Sequence, residues 1–171
     1  MTPAAFLSDM VRPGLRDLHV MGGPRHTTEA ERFLVAIAGQ ESDWTHRYQH
    51  SPRAQPGPAR GWWQFEQIGV AGVLRHRSSG DLARRVLDRH HIVPHKAAAW
   101  RALECNDMFA VQIARLLIRT EPRALPVDAD EGWRQYLNLW RPGRPRQERW
   151  QQRWQAADDA TRGGVAPHTG V

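Results

Sequence analysis

The sequence predicts a mainly α-helical protein built as a single domain. Apolar residues recur at steps of three and four along most of the chain, which is the spacing of a buried helix face. Proline and glycine fall between these stretches and separate them. The 171 residues suffice for one sizeable core. We expect that core within residues 1–157 and a flexible tail over residues 158–171, where Gly, Thr, Asp and Pro predominate.

The first element, over residues 3–21, is predicted to be a bent helix or a helical hairpin. Two short apolar stripes lie on either side of Pro13, a residue suited to a first helical turn. The stripes consist of Phe6, Leu7 and Met10, and of Leu15, Leu18 and Met21. The run Gly22-Gly23-Pro24 then ends the element. Its expected role is packing.

The next helix ends in a carboxylic acid. Thr28 and Glu31 have the spacing of a capping box. The apolar stripe that follows reaches Glu41 at its next step, after Phe33, Leu34, Ile37 and Ala38. A carboxyl on an apolar face loses hydration, which raises its pKa, and a group still protonated near neutral pH can act as a general acid. The alternative is that Glu41 points into solvent at a frayed helix end.

A proline-rich loop follows, from Ser51 to Pro58, and its composition excludes regular structure. Gly61 would let the backbone approach a ligand closely. The segment Trp62-Trp63-Gln64-Phe65 suits a short extended piece that runs into a helix.

The remaining chain is predicted to form further helices. A short apolar helix spans Ile68 to Arg75, and Ser79-Gly80-Asp81 begins the next. Pro94 opens another helix, and Asn106-Asp107 caps the most apolar one. Asp128 and Glu131 cap a helix whose stripe is Trp133, Tyr136, Leu137 and Trp140; a final basic helix carries Trp150 and Trp154.

Glu41-Ser42 at a helix end, followed by Gly-x-x-x-Gly-Trp-Trp-Gln over residues 57–64, resembles the motif of the soluble lytic transglycosylases. These enzymes belong to the lysozyme-like superfamily. Trp63 departs from that motif, which usually has Met or another apolar residue there. The resemblance is good from Thr28 to Leu74 and rests on helical pattern elsewhere. It implies a lysozyme-like helical domain over residues 1–157, with a minimal β-like element beside an active-site cleft.

The resemblance also implies the roles of individual residues. Glu41 would be the catalytic acid, and Ser42, Gly61, Trp62, Trp63 and Gln64 would bind substrate along the cleft. Gln64 would hydrogen-bond the substrate or steady Glu41; the alternative is an exposed polar side chain. Tyr136, also expected to bind substrate, matches a tyrosine that lies near the acid in this family; the alternative is a core aromatic.

The implied reaction is cleavage of the β-1,4 bond between N-acetylmuramic acid and N-acetylglucosamine in peptidoglycan. A transglycosylase needs one acid, which donates a proton to the glycosidic oxygen and then accepts one from the C6 hydroxyl. A hydrolytic lysozyme needs a second carboxylate, roughly 5 to 9 Å from the first. The candidates are Asp43, Glu66 and Asp81.

We expect no cofactor and no metal ion. Zinc sites place ligands at recognisable spacings, and neither HExxH nor a cysteine pair is present. No P-loop, GxGxxG or Gly-x-Ser-x-Gly motif occurs. The nine histidines, among them His90, His91 and His95, are expected at the surface.

Composition bears on partners and location. The net charge of +6 favours polyanions, either the bacterial envelope or nucleic acid. A non-catalytic basic module is therefore the alternative function, with Arg and Trp holding a single strand. We expect no membrane span and no secretory signal. Action on the periplasmic cell wall would then require delivery, as a component of a bacteriophage virion or through a lysis system, together with other proteins of that assembly.

Overall fold

The structure, a computed structural model, describes residues 1–50 and 56–163 and is mainly α-helical, as the sequence predicts. One pair of strands lies between the third and fourth helices of this described part. The elements are α1 Pro3–Phe6, a π-helical segment Leu7–Val11, α2 Arg12–Val20, α3 Thr28–Ser42, β1 Tyr48–His50, β2 Pro56–Arg60, α4 Gln67–Arg75, α5 Gly80–Arg89, α6 Lys96–Cys105, α7 Asp107–Arg119, α8 Ala129–Trp140 and α9 Gln147–Gly163.

The N-terminal element is one continuous helical stretch rather than a hairpin. The backbone stays right-handed helical at Phe6 and at Arg12, so that α1, the π-helical segment and α2 follow without a break. Gly14 packs against α7, where a Cβ would come within 2.6 Å of Val111. The two apolar stripes therefore bury one continuous surface against the centre of the molecule.

Helix α3 lies at the centre of the core. From Ala30 to Gln40 its residues are buried on all sides except at Arg32, because α9 packs along it and α7 lies nearby. Because α3 is enclosed on nearly every side, its residues are apolar around most of the helix circumference. The ring of Phe33 contacts Trp150 and Trp154 of α9, with ring centroids 6.5 and 6.4 Å away.

The cap of α3 lies one residue earlier than the sequence predicts. Thr27 has extended backbone, and its hydroxyl oxygen accepts a hydrogen bond from the backbone N–H of Ala30. Thr28 is already the first helical residue. Glu31 is not part of a capping box, since its carboxylate binds Arg12 through two hydrogen bonds of 3.1 and 3.2 Å and also contacts His26.

The strands form a two-stranded antiparallel sheet with Tyr48 opposite Arg60. Of the stretch predicted to lack regular structure, residues 51–55 lie outside the described part, and Pro56–Arg60 forms β2. Beyond the sheet, Arg60 and Phe65 exchange backbone hydrogen bonds of 3.0 and 2.9 Å. The chain between them therefore makes a tight turn that contains Gly61, Trp62, Trp63 and Gln64.

The end of the domain lies further along the chain than residue 157. Helix α9 continues to Gly163, and Asp158 and Thr161 are buried. Asp158 forms an ion pair with Arg32 of α3 at 2.8 Å. Although residues 158–163 are mostly polar, they continue helix α9, and Asp158 and Thr161 face the core. Residues 158–163 are therefore part of the packed domain. Residues 164–171 of the expected tail lie outside the described residues.

Candidate active site

The chain reverses sharply just after Glu41. Asp43 and Trp44 both have left-handed backbone, with φ of 53°, which ends α3. The Trp44 ring folds back over Gly39 so closely that a Cβ there would come within 2.2 Å of it. The indole N–H donates to the carbonyl of Val35 at 3.0 Å. The last turn of α3, which carries Glu41, is therefore fixed by its own buried anchor.

A cleft of about 820 Å³ opens beside this last turn. It is bordered by the end of α3, by the turn that leads into α4, by the end of α8 and by the segment between α8 and α9. Four of the residues expected at the site line it: Glu41, Ser42, Gln64 and Tyr136. The structure thus brings together residues that are up to 95 positions apart in sequence.

Tyr136 contacts the acid directly. Its hydroxyl donates a hydrogen bond to Oε1 of Glu41 at 2.6 Å. Its ring is also a core aromatic, only 2% exposed, stacked on Trp150 at a centroid distance of 5.3 Å and an angle of 16°. Tyr136 thus contacts Glu41 and also packs as a core aromatic, and the packed ring fixes the position of the hydroxyl.

Burial controls the ionisation of both groups. Burial raises the pKa of Glu41 from 4.5 to about 7, and the hydrogen bond from Tyr136 opposes part of that rise. The pKa of Tyr136 is also raised, first by burial and then by the neighbouring Glu41 carboxylate. The phenol therefore keeps its proton and remains a hydrogen-bond donor. Near neutral pH, Glu41 is divided between a proton donor and a proton acceptor.

Ser42 and Gln64 line the cleft, but both hold the protein's own backbone. The Ser42 hydroxyl donates to the carbonyl of Ala38 at 2.8 Å and is buried. The Gln64 side-chain amide donates to the carbonyl of Gly61 at 2.8 Å and closes the turn between Arg60 and Phe65. Gln64 has left-handed backbone, with φ of 48°. Among the described residues, the Gln64 side chain forms no hydrogen bond with Glu41.

Three other residues that were expected to bind substrate lie in the core. Trp63 is fully buried, and its indole N–H donates to the carbonyl of Leu34 at 3.0 Å. Trp62 is 4% exposed and donates to Asp107 at 2.8 Å. Gly61 has φ of +73°, and a Cβ there would come within 2.8 Å of the Leu103 carbonyl. These residues attach the turn to α3, α6 and α7, and they do not line the cleft.

Trp140 and Gln40 are among the cleft residues that the sequence did not identify as site residues. Trp140 is partly exposed, lines the cleft and donates through its indole N–H to the Trp63 carbonyl at 2.9 Å. Gln40 donates through its side-chain amide to the Arg146 carbonyl at 3.0 Å. Trp140 lies one helical turn after Tyr136, and Gln40 directly precedes Glu41. This proximity in sequence to expected site residues is the signal that could have identified them.

The three candidates for a second carboxylate lie in different surroundings. Asp43 and Glu66 line the cleft with Glu41, whereas Asp81 lies on α5, where it forms an exposed ion pair with Arg84. The Asp43 carboxylate contacts the guanidinium groups of Arg149 and Arg153. Glu66 is exposed at the start of α4. Of the three candidates, Glu66 is therefore the one that lines the cleft and forms no ion pair within the described part of the chain.

The tryptophans of α9 and the histidine His90, which bear on the alternative functions, have structural roles. Trp150 is fully buried and Trp154 is 7% exposed, so these rings offer no platform for a nucleic-acid base. The ring of His90 is held between Asn106 and Gln112. Within the described part of the chain, no three His, Cys, Asp or Glu side chains are placed to hold a metal ion. None of the described helices is long and apolar enough to cross a membrane.

Comparison of the chain with family models, with curated proteins and with solved structures finds no match.

Proposed function

We propose that this protein is a peptidoglycan-degrading enzyme that cleaves the β-1,4 bond between N-acetylmuramic acid and N-acetylglucosamine, with Glu41 as its acid. The observation that carries the proposal is the Glu41 carboxyl itself. It lines a cleft large enough for a glycan segment, burial raises its pKa to about 7, and the buried hydroxyl of Tyr136 orients it. Glycosidic cleavage requires a carboxylic acid of this kind.

The favoured reaction is that of a lytic transglycosylase, a lyase reaction that needs one carboxyl group. Protonated Glu41 donates its proton to the glycosidic oxygen, and the bond to the leaving sugar breaks. The resulting carboxylate accepts the proton of the C6 hydroxyl of N-acetylmuramic acid, whose oxygen closes a 1,6-anhydro ring. Tyr136 holds Oε1 of Glu41 in place and stabilises the carboxylate form between the two proton transfers.

Sugar contacts are assigned to the cleft residues that remain accessible. Trp140 presents a partly exposed indole, and an indole face is a suitable surface for a sugar ring. Gln64 lies on the same cleft with a side-chain carbonyl oxygen in addition to the N–H that closes its turn. Ser42, Gly61, Trp62 and Trp63 support the site through the backbone and the core.

The alternative within glycosidases is a hydrolytic lysozyme. Glu66 favours it, because this second carboxylate lines the same cleft. In that mechanism Glu41 would still donate the proton, and Glu66 would activate a water molecule or form the covalent intermediate.

Turbidity loss of purified cell walls tests the proposal, with Glu41→Gln against the wild type and Glu148→Gln as a surface control. Glu41→Gln should lose activity by a factor of about 100 or more, because general acid catalysis contributes 10² to 10⁴. Glu148→Gln should remain active. Equal activity of the Glu41→Gln variant and the wild type would remove Glu41 from the mechanism.

Mass spectrometry of the released muropeptides then separates the two reactions. Anhydro ends, with Glu66→Gln still active, identify the transglycosylase. Reducing ends, with Glu66→Gln inactive, identify the hydrolase. The setting that we propose for either enzyme is the bacterial cell wall, reached as a phage virion component or through a lysis system.

A further inference from the structure

The segment that joins α8 to α9 forms a positively charged wall of the cleft. We call it the arginine loop and define it as residues 141–146, which include Arg141, Arg144 and Arg146. All three arginines line the cleft, and their side chains are exposed. None of them forms an ion pair with a carboxylate in the parts of the chain that the structure describes. Their charge is thus available to a ligand.

The arginine loop is held in place from both ends. At its start, Arg141 ends α8 in left-handed conformation, and its Nε donates to the carbonyl of Asn138 at 3.2 Å. At its end, the Arg146 carbonyl accepts from Gln40, a residue that is 9% exposed and directly precedes Glu41. The backbone of the loop is therefore tied to the helix that carries the acid, and the Arg141 side chain is held at the end of α8 before a ligand binds.

The acidic residues of the cleft do not neutralise this wall. The charge of Asp43 is matched by Arg149 and Arg153. Glu66 is exposed at the start of α4, a different border of the cleft. The pKa of Glu41 responds to burial and to Tyr136, and no arginine lowers it. The positive charge of the arginine loop is therefore not compensated by these three carboxyl groups.

We infer that the arginine loop binds the carboxylates of the short peptides attached to the glycan strand, so that the cleft recognises peptide-bearing peptidoglycan rather than a neutral sugar polymer. The inference rests on the proposed function of the cleft. A guanidinium group binds a carboxylate through two parallel hydrogen bonds, which suits exposed arginines beside a glycan path. Nucleic acid is the weaker fit, because the tryptophans that would stack on bases are buried in α9.

Binding measured in the Glu41→Gln background tests the loop without cleavage. The variant Arg141→Gln/Arg144→Gln is compared with Arg16→Gln/Arg101→Gln, which removes the same charge from exposed arginines outside the cleft. The probes are purified cell walls and the same walls after carbodiimide amidation with excess ammonia, which neutralises the carboxylates. Unfolding midpoints of all variants establish that each is folded.

Replacement of Arg141 and Arg144 should weaken binding to untreated walls by about fivefold or more relative to the control variant. Amidation should weaken binding of the parent protein by a similar factor and abolish the difference between the variants. Arg141→Lys/Arg144→Lys should recover part of the affinity, because it keeps the charge and loses the paired hydrogen bonds.

Other outcomes overturn the inference. Equal binding of the loop and control variants to untreated walls would do so, and so would a loss that persists on amidated walls. Tighter binding of a single-stranded DNA oligonucleotide than of walls, lost in the loop variant, would assign the arginines to phosphate. If the wild type cleaves walls while the loop variant binds them like the control, only the loop inference fails. If neither the wild type nor any variant binds or cleaves walls, the proposed function fails together with the loop inference.

Discussion

Two aromatic regions occupy different places from those that their sequences suggest. Trp62 and Trp63 lie in the segment that resembles a substrate-binding motif, yet both are buried. Trp63 is hydrogen-bonded to α3, Trp62 to α7, and both rings pack against Phe6 of α1. Trp140 belongs to a stripe with the spacing of core packing, yet it is partly exposed in the cleft beside Tyr136. The difference shows that spacing identifies a helix face and cannot identify what covers it.

The largest effect expected from this comparison is on stability. Trp63→Ala should lower the free energy of unfolding by about 3 to 5 kcal/mol, because it empties a fully buried volume. Urea unfolding measures the change, with Trp140→Ala as the matched control at a partly exposed position. A Trp63→Ala variant as stable as the wild type, but unable to bind cell walls, would return Trp63 to the cleft.

A smaller effect concerns the acid that Tyr136 contacts. The pKa of Glu41 is 4.5 when the group is free and about 7 in the folded protein. The stability contributed by its protonated form is therefore complete below pH 4.5 and is lost as the pH rises through 7. Glu41→Gln cannot ionise, so it should gain up to about 3 kcal/mol over the wild type at pH 8 and little at pH 4.

Unfolding by urea at the two pH values measures this difference, and Glu148→Gln serves as the exposed control. A gain of the same size at both pH values would mean that ionisation of Glu41 does not affect stability. The acid would then be fully hydrated in the folded protein.

Removal of the phenol separates its packing role from its contact with the acid. Tyr136→Phe keeps the ring and should cost about 1 kcal/mol of stability through the lost hydrogen bond. Because that bond lowers the pKa of Glu41, its loss should raise the pKa further. The alkaline limb of the activity profile should move to higher pH. An unchanged profile would leave Tyr136 with packing alone.

The smallest effect distinguishes the two tryptophan positions by binding. Trp140→Phe should weaken binding of the Glu41→Gln protein to cell walls by about 0.5 to 1 kcal/mol, roughly two- to fivefold, because the cleft loses indole area. Trp62→Phe, which changes the same ring in the core, should leave binding unchanged. The opposite ranking would assign the sugar contact to Trp62 instead of Trp140.

Much of the helical architecture could be predicted from local pattern. Asn106 and Asp128 cap α7 and α8 as expected, because a short polar side chain before an apolar run satisfies the free N–H groups of the first turn. The cap at Thr27 was missed by one residue, since two adjacent threonines present the same local chemistry. The burial of residues 158–163 was missed because it depends on contacts with α3.

The sequence alone determined that Glu41 ends an apolar helix, since helical spacing places it on the same face as Phe33 and Ile37. Tertiary structure decided what that carboxyl meets. The α8 helix brings the Tyr136 hydroxyl to it, and α9 and the arginine loop close the cleft from residues about a hundred positions away. Spacing along one helix fixes the direction of a side chain. The polarity that sets its pKa comes from elements that pack against it from elsewhere in the chain.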